Sequence, residues 1–586
     1  MEKTAATKKT ARYGIRALCA LLAVIISGLL VAGATFDWGN VHYSRITFTY
    51  SNNGNNGELN TYEGSAIMYV PKNATKETPA PAVLSIHGIS SNAQSQSNYA
   101  IELARRGYVV MSVDLPGSGY TDMVGQNPPV KQDMTTFLDE AVKVLKSLNY
   151  VQQGNMTSFG FSGGVAKAYE TAARHKDTFN LIIGGSGNTK RYEENPDYQG
   201  INKIGITSDA KMCGTPDTVT GSVEDGTYAA DYYFRNYVTH VWMTISGESM
   251  YGICKYINEV NPAPIQIDPS NQVFLMAHFF SVLGYISVIC FLITFTQFLL
   301  NTKNFANLKR AEFPNFNTEE PKWQKIAFVV GTMALNVLAM LILVVKLQVV
   351  PLDSGIRAIP LWFNVYVPYF IAIGMIDLLM FIFRFHFRFG KKQGGTLVAY
   401  DVLEEGGAVE SVKSIAKALL IGFVVAGSIF AVLTVIESKL GVRFNFFDWA
   451  LNVGPTKLLV HSWFYILMYL FMFVSSNLNN FVAKPAQDAG LVADIKEIAI
   501  KSIMSILPML FLVGLNLGRG MGWLPGKTNV PMDHLYGYIF TIIIATIVNN
   551  VVTKKTKNIW AGAAVCAVYL GFGVTFGFAL QATLFG

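Results

Sequence analysis

Nine long apolar segments constrain the fold of this chain more than any other feature of its sequence. A helix that crosses a membrane needs about 20 predominantly apolar residues. Charged residues make up only 15% of the chain, against about 25% in a soluble globular protein. The sequence therefore predicts a multi-pass membrane protein with about nine spans. The apolar runs lie at 17–34 and near 273–300, 326–350, 359–383, 414–436, 458–479, 497–517, 536–552 and 559–584.

Basic residues are distributed unevenly between the segments that join these runs. If the N-terminus is cytoplasmic, the short inner segments hold 21 lysines and arginines and the short outer loops hold six. Lys and Arg accumulate on the cytoplasmic side of membrane proteins. The sequence therefore predicts a cell-membrane protein with a cytoplasmic N-terminus and an extracytoplasmic C-terminus.

The first apolar run separates a basic tail from a long polar segment. Its 18 residues exceed the roughly 7–15 of a signal-peptide core, which favours an uncleaved anchor over a signal peptide cleaved after Ala32-Gly33-Ala34. Both alternatives export the polar segment. We therefore divide the chain into a cytoplasmic tail with a transmembrane anchor (1–35), an extracytoplasmic domain (36–270) and an eight-helix transmembrane domain (271–586).

Net charge and cysteine spacing exclude several classes of function. The formal net charge is +7, and the basic residues are confined largely to loops, so no nucleic-acid partner is expected. The five cysteines include no CxxC pair, so no zinc module is expected. Cys213 and Cys254 fall in the exported domain, where a disulfide between them is permitted and a buried free thiol at Cys254 is equally compatible with the sequence.

The exported domain alternates short β-branched runs with amphipathic stretches, which is typical of a mostly parallel sheet flanked by helices. The fold class is therefore α/β for this domain, combined with an all-α transmembrane domain. The first two strands are expected to form an antiparallel hairpin around the Asn/Gly-rich loop 51–58. Predicted strands are 45–50, 65–70, 82–86, 109–114, 157–161, 181–185 and 231–238, and predicted helices are 94–106, 134–148, 163–175 and 246–258.

Glycine-containing motifs follow three successive predicted strands. The third strand ends at His87-Gly88-Ile89, the fourth at Asp114-Leu115-Pro116-Gly117-Ser118-Gly119 and the fifth at Gly160-Phe161-Ser162-Gly163-Gly164. A GxSxG between a strand and a helix allows a strained turn to hold the serine hydroxyl out over the sheet. The alternative is a glycine-rich turn with an incidental serine.

The same motifs supply candidates for an oxyanion hole. The backbone N–H groups of Ile89 and Gly163 would donate to a developing oxyanion. His87 is expected to be a structural residue of its loop rather than a base. Asp114 is expected to organise the loop that follows the fourth strand.

On these three motifs the segment 40–260 resembles the α/β-hydrolase superfamily, including its dienelactone-hydrolase-like and acyl-esterase-like members. The resemblance implies a nucleophilic serine, here Ser162, followed along the chain by an acid and then by a histidine. His240 is the candidate base, because it follows the strand 231–238 and precedes a final helix. His175 is too near Ser162 in the chain to return over its hydroxyl, and the rival His278 lies inside the second span.

The sequence identifies the acid of the triad less clearly than it identifies the serine and the histidine. Asp209 ends a short apolar run and precedes His240 in the chain, as the superfamily order requires. Glu224, Asp225 and Asp231 remain alternatives, because 205–208 is a poor strand.

The sequence thus predicts a membrane-bound serine hydrolase of the esterase or lipase type, which acts outside the cytoplasm on a carboxylic ester, thioester or amide. The expected partners are the lipid bilayer and a small-molecule or lipid ester substrate, with no metal or organic cofactor implied and no oligomeric state indicated. The alternative is a transporter or sensor whose hydrolase-like ectodomain binds a ligand without catalysis.

An acidic residue, Asp377, falls within a predicted span. Asp377, with Asn336, Asn364 and His461, stands apart because ionisable groups inside spans usually face a cavity or a partner. One interpretation is a contact between helices in which Asp377 pairs with arginines near the inner face. The other is a polar cavity in a domain that holds a lipid substrate or moves a solute.

The predicted orientation has a direct test. Protease added to intact cells or to right-side-out vesicles should cleave the segment 36–270, because the basic residues place it outside the cytoplasm. Immunoblotting of the fragments measures the cleavage. Cleavage that requires permeabilisation would show that the orientation is reversed.

Overall fold

An eight-stranded mixed sheet forms the core of the polar segment. The computed structural model describes residues 2–53, 58–88, 91–121, 134–185, 201–207, 232–235, 242–316, 320–346, 366–444, 459, 462–483, 491–520 and 533–577. The strands are β1 (Val41–Asn53), β2 (Leu59–Pro71), β3 (Ala80–Ile86), β4 (Val109–Asp114), β5 (Val151–Phe161), β6 (Phe179–Gly185), β7 (Asn202–Thr207) and β8 (Tyr232–Arg235). The mixed α/β class predicted for this segment is confirmed.

The order of the strands brings the three sequence motifs to one edge of the sheet. The order is β1-β2-β4-β3-β5-β6-β7-β8, with β2 antiparallel to both of its neighbours and the other pairs parallel. Ile86 near the end of β3 is paired with Val113 of β4 on one side and with Gly160 of β5 on the other. The residues that follow these strands therefore lie side by side at the carboxyl edge.

Helices cover both faces of this sheet. We call the sheet and its flanking helices the sheet domain (41–260). Among the described residues up to 260, the α-helices are α1 (Glu2–Thr35), α2 (Ser97–Arg105), α3 (Thr135–Ser147), α4 (Gly164–Arg174) and α5 (Gly247–Val260). Apolar residues of α3 and α4 are buried on one face, and those of α2 and α5 on the other. The stripe on α5 that repeats with helical spacing is fully buried, as its period predicts; it consists of Met250, Ile253, Cys254 and Ile257.

Several elements differ from the sequence prediction at their ends. The first two strands are longer than predicted, and the helix predicted from residue 94 begins as a 3₁₀ turn, Ala93–Gln96, before α2. The main difference is β7, in a region where the sequence suggested a poor strand. It pairs in parallel with both β6 and β8, and these ladders supply the stabilisation that the short run lacks on its own.

Nine helices of the described ranges are long and apolar enough to cross a membrane, by length and composition. They match the nine predicted runs and include α1. The apolar segment of α13 (Ile559–Gly577) is 89% buried and that of α7 (Lys322–Met340) only 17%, so α13 lies inside the bundle and α7 at its periphery. The remaining eight are α6 (Phe274–Leu299), α7 (Lys322–Met340), α8 (Val367–Met380), α9 (Ala408–Leu440), α10 (Ser462–Asn477), α11 (Leu491–Gly520), α12 (Asp533–Thr556) and α13 (Ile559–Gly577).

A buried carboxylate joins the sheet domain to the start of α6. Glu102 on α2 is 0% exposed, and its Oε1 accepts hydrogen bonds from the backbone N–H groups of Val273 (2.6 Å) and Phe274 (3.0 Å). Its Oε2 accepts hydrogen bonds from Arg105 (3.0 Å) and Arg106 (2.9 Å). The carboxylate therefore caps α6, where a negative charge is stabilised by the helix dipole, and both of its oxygens are used.

Glu102→Gln should strongly destabilise the protein. An amide has one NH₂ group, which would face either the two backbone donors or the two arginines. Breaking a buried ion pair by removing one partner costs about 3–5 kcal/mol. The thermal unfolding midpoint of the full-length protein in detergent should therefore fall by many degrees.

The control for this variant is Glu140→Gln, which removes a carboxylate from an exposed i,i+3 pair with Lys143 on α3. An exposed pair contributes little to stability, so its midpoint should stay near that of the wild type. Equal midpoints for the two variants would contradict the capping role of Glu102.

Candidate active site

The turn between β5 and α4 holds Ser162 in a strained backbone conformation. Ser162 has a φ of +54°, in the left-handed region that L-residues other than glycine rarely adopt. Its N–H donates to the carbonyl of Gly185 at the end of β6 (2.7 Å), and its carbonyl accepts from Val165 (3.0 Å). The turn is thus fixed to the neighbouring strand and to the first turn of α4, and the serine side chain is half-buried.

Two glycines permit the close approach of strand and helix in this turn. A Cβ atom at position 160 would lie 2.4 Å from the carbonyl oxygen of Gly164, and one at position 164 would lie 2.3 Å from that of Ile86. Both contacts are with backbone atoms, which cannot move away. The GxSxG spacing is therefore a steric requirement of this turn.

The loop after β3 passes directly against the serine. A Cβ atom at position 88 would lie 2.9 Å from the Cβ of Ser162. Ile89, the next residue and a candidate oxyanion donor, lies outside the described residues. The other candidate, Gly163, is exposed and immediately precedes α4, and N–H groups at the start of a helix have no acceptor within the helix.

His87 occupies a structural position, as the sequence suggested. Its ring is 1% exposed, its Nδ1 lies 2.7 Å from the carbonyl oxygen of Gly88, and its Nε2 lies 3.0 Å from the N–H of Leu115. A carbonyl only accepts and a backbone N–H only donates, so Nδ1 carries the proton and Nε2 is unprotonated. His87 therefore bridges the loops after β3 and β4. Burial lowers the pKa of the imidazole.

Asp114 organises the same two loops from the end of β4. Its Oδ1 accepts a hydrogen bond from the N–H of Ala93 (2.7 Å), and its Oδ2 accepts from the N–H of Tyr120 (3.2 Å) and from Arg45 (2.9 Å). A Cβ atom at position 119 would lie 2.2 Å from Oδ1 of Asp114, which explains the second glycine of the motif. The arrangement agrees with the structural role predicted for this carboxylate.

The other two predicted triad residues, Asp209 and His240, lie outside the described residues. β7 ends at Thr207 and β8 ends at Arg235, so each candidate follows a described strand by a few residues. The alternative acids Glu224, Asp225 and Asp231 also lie outside.

The other histidines weighed as bases have partners of their own. His175 follows α4, and its Nε2 lies 2.9 Å from Oδ1 of Asp139, which also binds Arg174. His278 is in the first two turns of α6, 8% exposed, with its ring in an edge contact with Phe274. Within the described ranges, no group of three or more His, Cys, Asp or Glu side chains could hold a metal ion.

A charged network at this edge was missed by the sequence analysis. Arg45 of β1 binds Asp114 and also Glu437 of α9 (3.4 Å), and its guanidinium lies 4.2 Å from the ring centroid of Tyr120. Glu437 is also bound by Tyr120 (3.4 Å) and by Arg443. The loop after β4 is therefore connected to the end of a predicted span. An arginine in a predicted strand and a glutamate near the end of a span were the available signals.

Comparison with known proteins finds only distant similarity to solved structures. No family model matches the chain, and no curated protein matches it. Similar solved structures include a dienelactone hydrolase from Anabaena variabilis (13% identity, 38% of this chain and 97% of that chain, TM-score 0.28). Others are an S-formylglutathione hydrolase from Agrobacterium tumefaciens (13%, 38% and 99%, 0.29) and a hyperthermophilic esterase from Pyrobaculum calidifontis (14%, 41% and 88%, 0.26). At these values the similarity does not assign an activity.

Protonation of His87 should destabilise the sheet domain in acid. The unfolded chain keeps a histidine pKa of about 6.5, whereas burial lowers the pKa of His87 in the folded state. At a pH between these two pKa values the unfolded state binds more protons than the folded state. The contribution of neutral His87 to the free energy of unfolding is therefore complete above about pH 7, and it is lost as the pH falls from the unfolded-state pKa through the folded-state pKa.

Unfolding midpoints of the wild type and of His87→Gln between pH 5 and 8 measure this effect. The variant should be less stable at pH 8, because it loses the bridge between two loops, and its midpoint should fall less on acidification. Parallel pH profiles for the two proteins would contradict the assignment of His87 as a buried neutral imidazole.

Proposed function

We propose that this protein is a membrane-bound serine hydrolase that acts outside the cytoplasm on a carboxylic ester, thioester or amide. The observation that carries the proposal is the left-handed backbone of Ser162 between β5 and α4. A left-handed conformation costs about 1–2 kcal/mol for a residue with a Cβ, and such strain persists mainly where function requires it. An incidental serine in a glycine-rich turn would leave this strain unexplained.

The proposed mechanism is acyl transfer through Ser162. Its Oγ attacks the substrate carbonyl while His240 accepts the hydroxyl proton, and His240 then returns the proton to the leaving group. Asp209 orients the imidazole. The N–H groups of Gly163 and Ile89 stabilise the oxyanion. The positive end of the α4 dipole stabilises the same negative charge. Water then hydrolyses the acyl-enzyme.

The proposed location rests on the nine apolar helices and on the uneven distribution of basic residues. In this arrangement the lipid bilayer holds α1 and α6–α13. The bond between Tyr120 and Glu437 keeps the carboxyl edge of the sheet next to the outer end of α9. Such a position suits a lipid or amphiphilic ester that reaches the serine from the membrane surface.

A fluorophosphonate probe applied to isolated membranes tests the nucleophile. The wild type should be labelled and Ser162→Ala should not, because the probe reacts with an activated serine hydroxyl. Ser147→Ala, at the exposed end of α3, is the matched control and should keep full labelling. A wild-type protein that stays unlabelled would favour the alternative of a ligand-binding ectodomain.

Hydrolysis of a short-chain ester tests whether the triad acts as a unit. Ser162→Ala and His240→Ala should each lose activity by a factor on the order of 10⁴ or more, and the double variant should lose no more than either, because triad members are strongly non-additive. Asp209→Asn should lose less. Losses that multiply in the double variant would indicate independent roles, and full activity of His240→Ala would move the base elsewhere, with His278 as the next candidate.

A further inference from the structure

A polar cavity lies among the predicted spans, in the part of the molecule that the hydrolase does not use. Its volume is about 120 Å³, enough for several water molecules or for an ion that keeps part of its hydration shell. Helices α7, α8, α10, α11 and α12 contribute to the lining. The residues used in the argument are Asn336, Tyr369, Asp377, Ser476, Asn479 and Lys501.

Asp377 brings a carboxylate to this cavity. The side chains of Ser476 and Asn479 line the cavity together with this carboxylate, and Asn479 donates a hydrogen bond to the backbone carbonyl of Asp377 (2.6 Å). Both side chains are neutral. An ionised group in the apolar part of a membrane is costly unless a partner compensates it, so hydrogen bonds alone leave a full negative charge in the cavity.

The basic side chains in this region have other partners. Arg384 and Arg388, which follow α8 and were candidates to pair with Asp377, both bind Glu320. Lys501 lines the cavity, but its ammonium group lies 2.6 Å from Oε1 of Glu497. The arrangement therefore differs from the predicted pairing of Asp377 with arginines, and the positive charge of Lys501 is already neutralised by a carboxylate.

Buried oxygen atoms of the lining lack hydrogen-bond partners within the described part of the chain. They are Oδ1 of Asn336, Oδ1 of Asn479 and the hydroxyl of Tyr369. Asn479 is 8% exposed and Tyr369 is 0% exposed. A buried polar atom without a partner costs about 1–3 kcal/mol, so three of them around one cavity point to an occupant that interacts with oxygen.

The helices that line the cavity are also irregular, and the stretch Leu478–Val482 itself contributes Asn479 to the lining. π-helical stretches continue α7, α8 and α10, at Leu341–Lys346, Phe381–Gly390 and Leu478–Val482, and such stretches are frequent at functional sites. Pro508 within α11 has no N–H to bond to the carbonyl of Met504, and both residues line the cavity. Interrupted helices that free carbonyl oxygens form the ion sites of many transporters.

We infer that this cavity is a binding site for a single small alkali cation, with Asp377 supplying the compensating charge. Carboxylate, amide and hydroxyl oxygens are the ligands that hard cations prefer. One carboxylate matches one positive charge. A divalent ion would leave an excess positive charge in apolar surroundings, so a monovalent cation fits best. The assignment does not depend on the hydrolase activity.

Thermal unfolding of the full-length protein in detergent tests the assignment. Na⁺ and K⁺ are each titrated while N-methyl-D-glucamine keeps the ionic strength constant. We expect the thermal unfolding midpoint to rise and then saturate with at least one of the two ions, because a ligand that binds only the folded state stabilises that state. Retention of ²²Na⁺ or ⁸⁶Rb⁺, at about one ion per chain, identifies which is held.

Asp377→Asn separates a cation site from a simple contact between helices. The variant should lose the response to both ions, and its midpoint without them should equal or exceed that of the wild type, because it removes an uncompensated charge. Ser476→Ala should weaken ion binding about tenfold, and Met472→Leu, an apolar lining residue changed at nearly constant volume, should keep the wild-type response.

Three outcomes would overturn the assignment. They are a wild type that does not respond to either ion, an Asp377→Asn variant that responds like the wild type, and a midpoint that follows pH but not the alkali cations. The last would indicate that Asp377 is neutralised by a proton. None of these measurements uses Ser162, so failure here and failure of the proposed hydrolase activity are distinguishable.

Discussion

The ion-pair network around Glu437 fixes how the sheet domain sits on the helices. Glu437 of α9 forms ion pairs with Arg45 of β1 and with Arg443, and it accepts a hydrogen bond from the hydroxyl of Tyr120. Arg45 also forms an ion pair with Asp114. Glu437 is 5% exposed and Asp114 is 2% exposed, so these charges have lost most of their hydration. Such a network is stable only when every member is paired, which allows few relative positions of β1, the loop after β4 and the end of α9.

The carboxyl edge of the sheet, where Ser162 lies, depends on the same network. Asp114 accepts the hydrogen bond of Ala93 in the segment that follows β3, and His87 joins that segment to the loop after β4. Ser162 lies directly against this segment, through the contact at Gly88. The serine is therefore positioned by backbone packing on one side and by a charged network that reaches the predicted spans on the other.

Local patterns in the sequence predicted much of this structure. They did not predict the contacts between residues that are distant along the chain. The nine apolar runs, the stripe on α5 and the strained serine turn follow from periodicity and from steric rules that act within a few residues. Arg45 and Glu437 are 392 residues apart, and a single sequence contains no signal that pairs them. The pairing of Asp377 with arginines, one of its two interpretations, is not observed for the same reason, because the arginines bind Glu320, which lies far from them along the chain. The sequence also could not predict β7 as a regular strand, because pairing with β6 and β8 on its two sides stabilises it.

Close contacts between helices connect the network to the cavity. A Cβ atom at Gly422 of α9 would lie 2.6 Å from the carbonyl oxygen of Ala564 in α13, and one at Gly571 of α13 would lie 2.5 Å from Ile466 in α10. Small residues allow helices in a membrane to approach this closely, and backbones in such contact move together. α10 carries Ser476, which lines the cavity together with Asp377, and α9 carries Glu437, which binds the sheet domain. Helices α10, α13 and α9 therefore form a continuous series of close contacts from the cavity to the charged network that holds the loops beside Ser162.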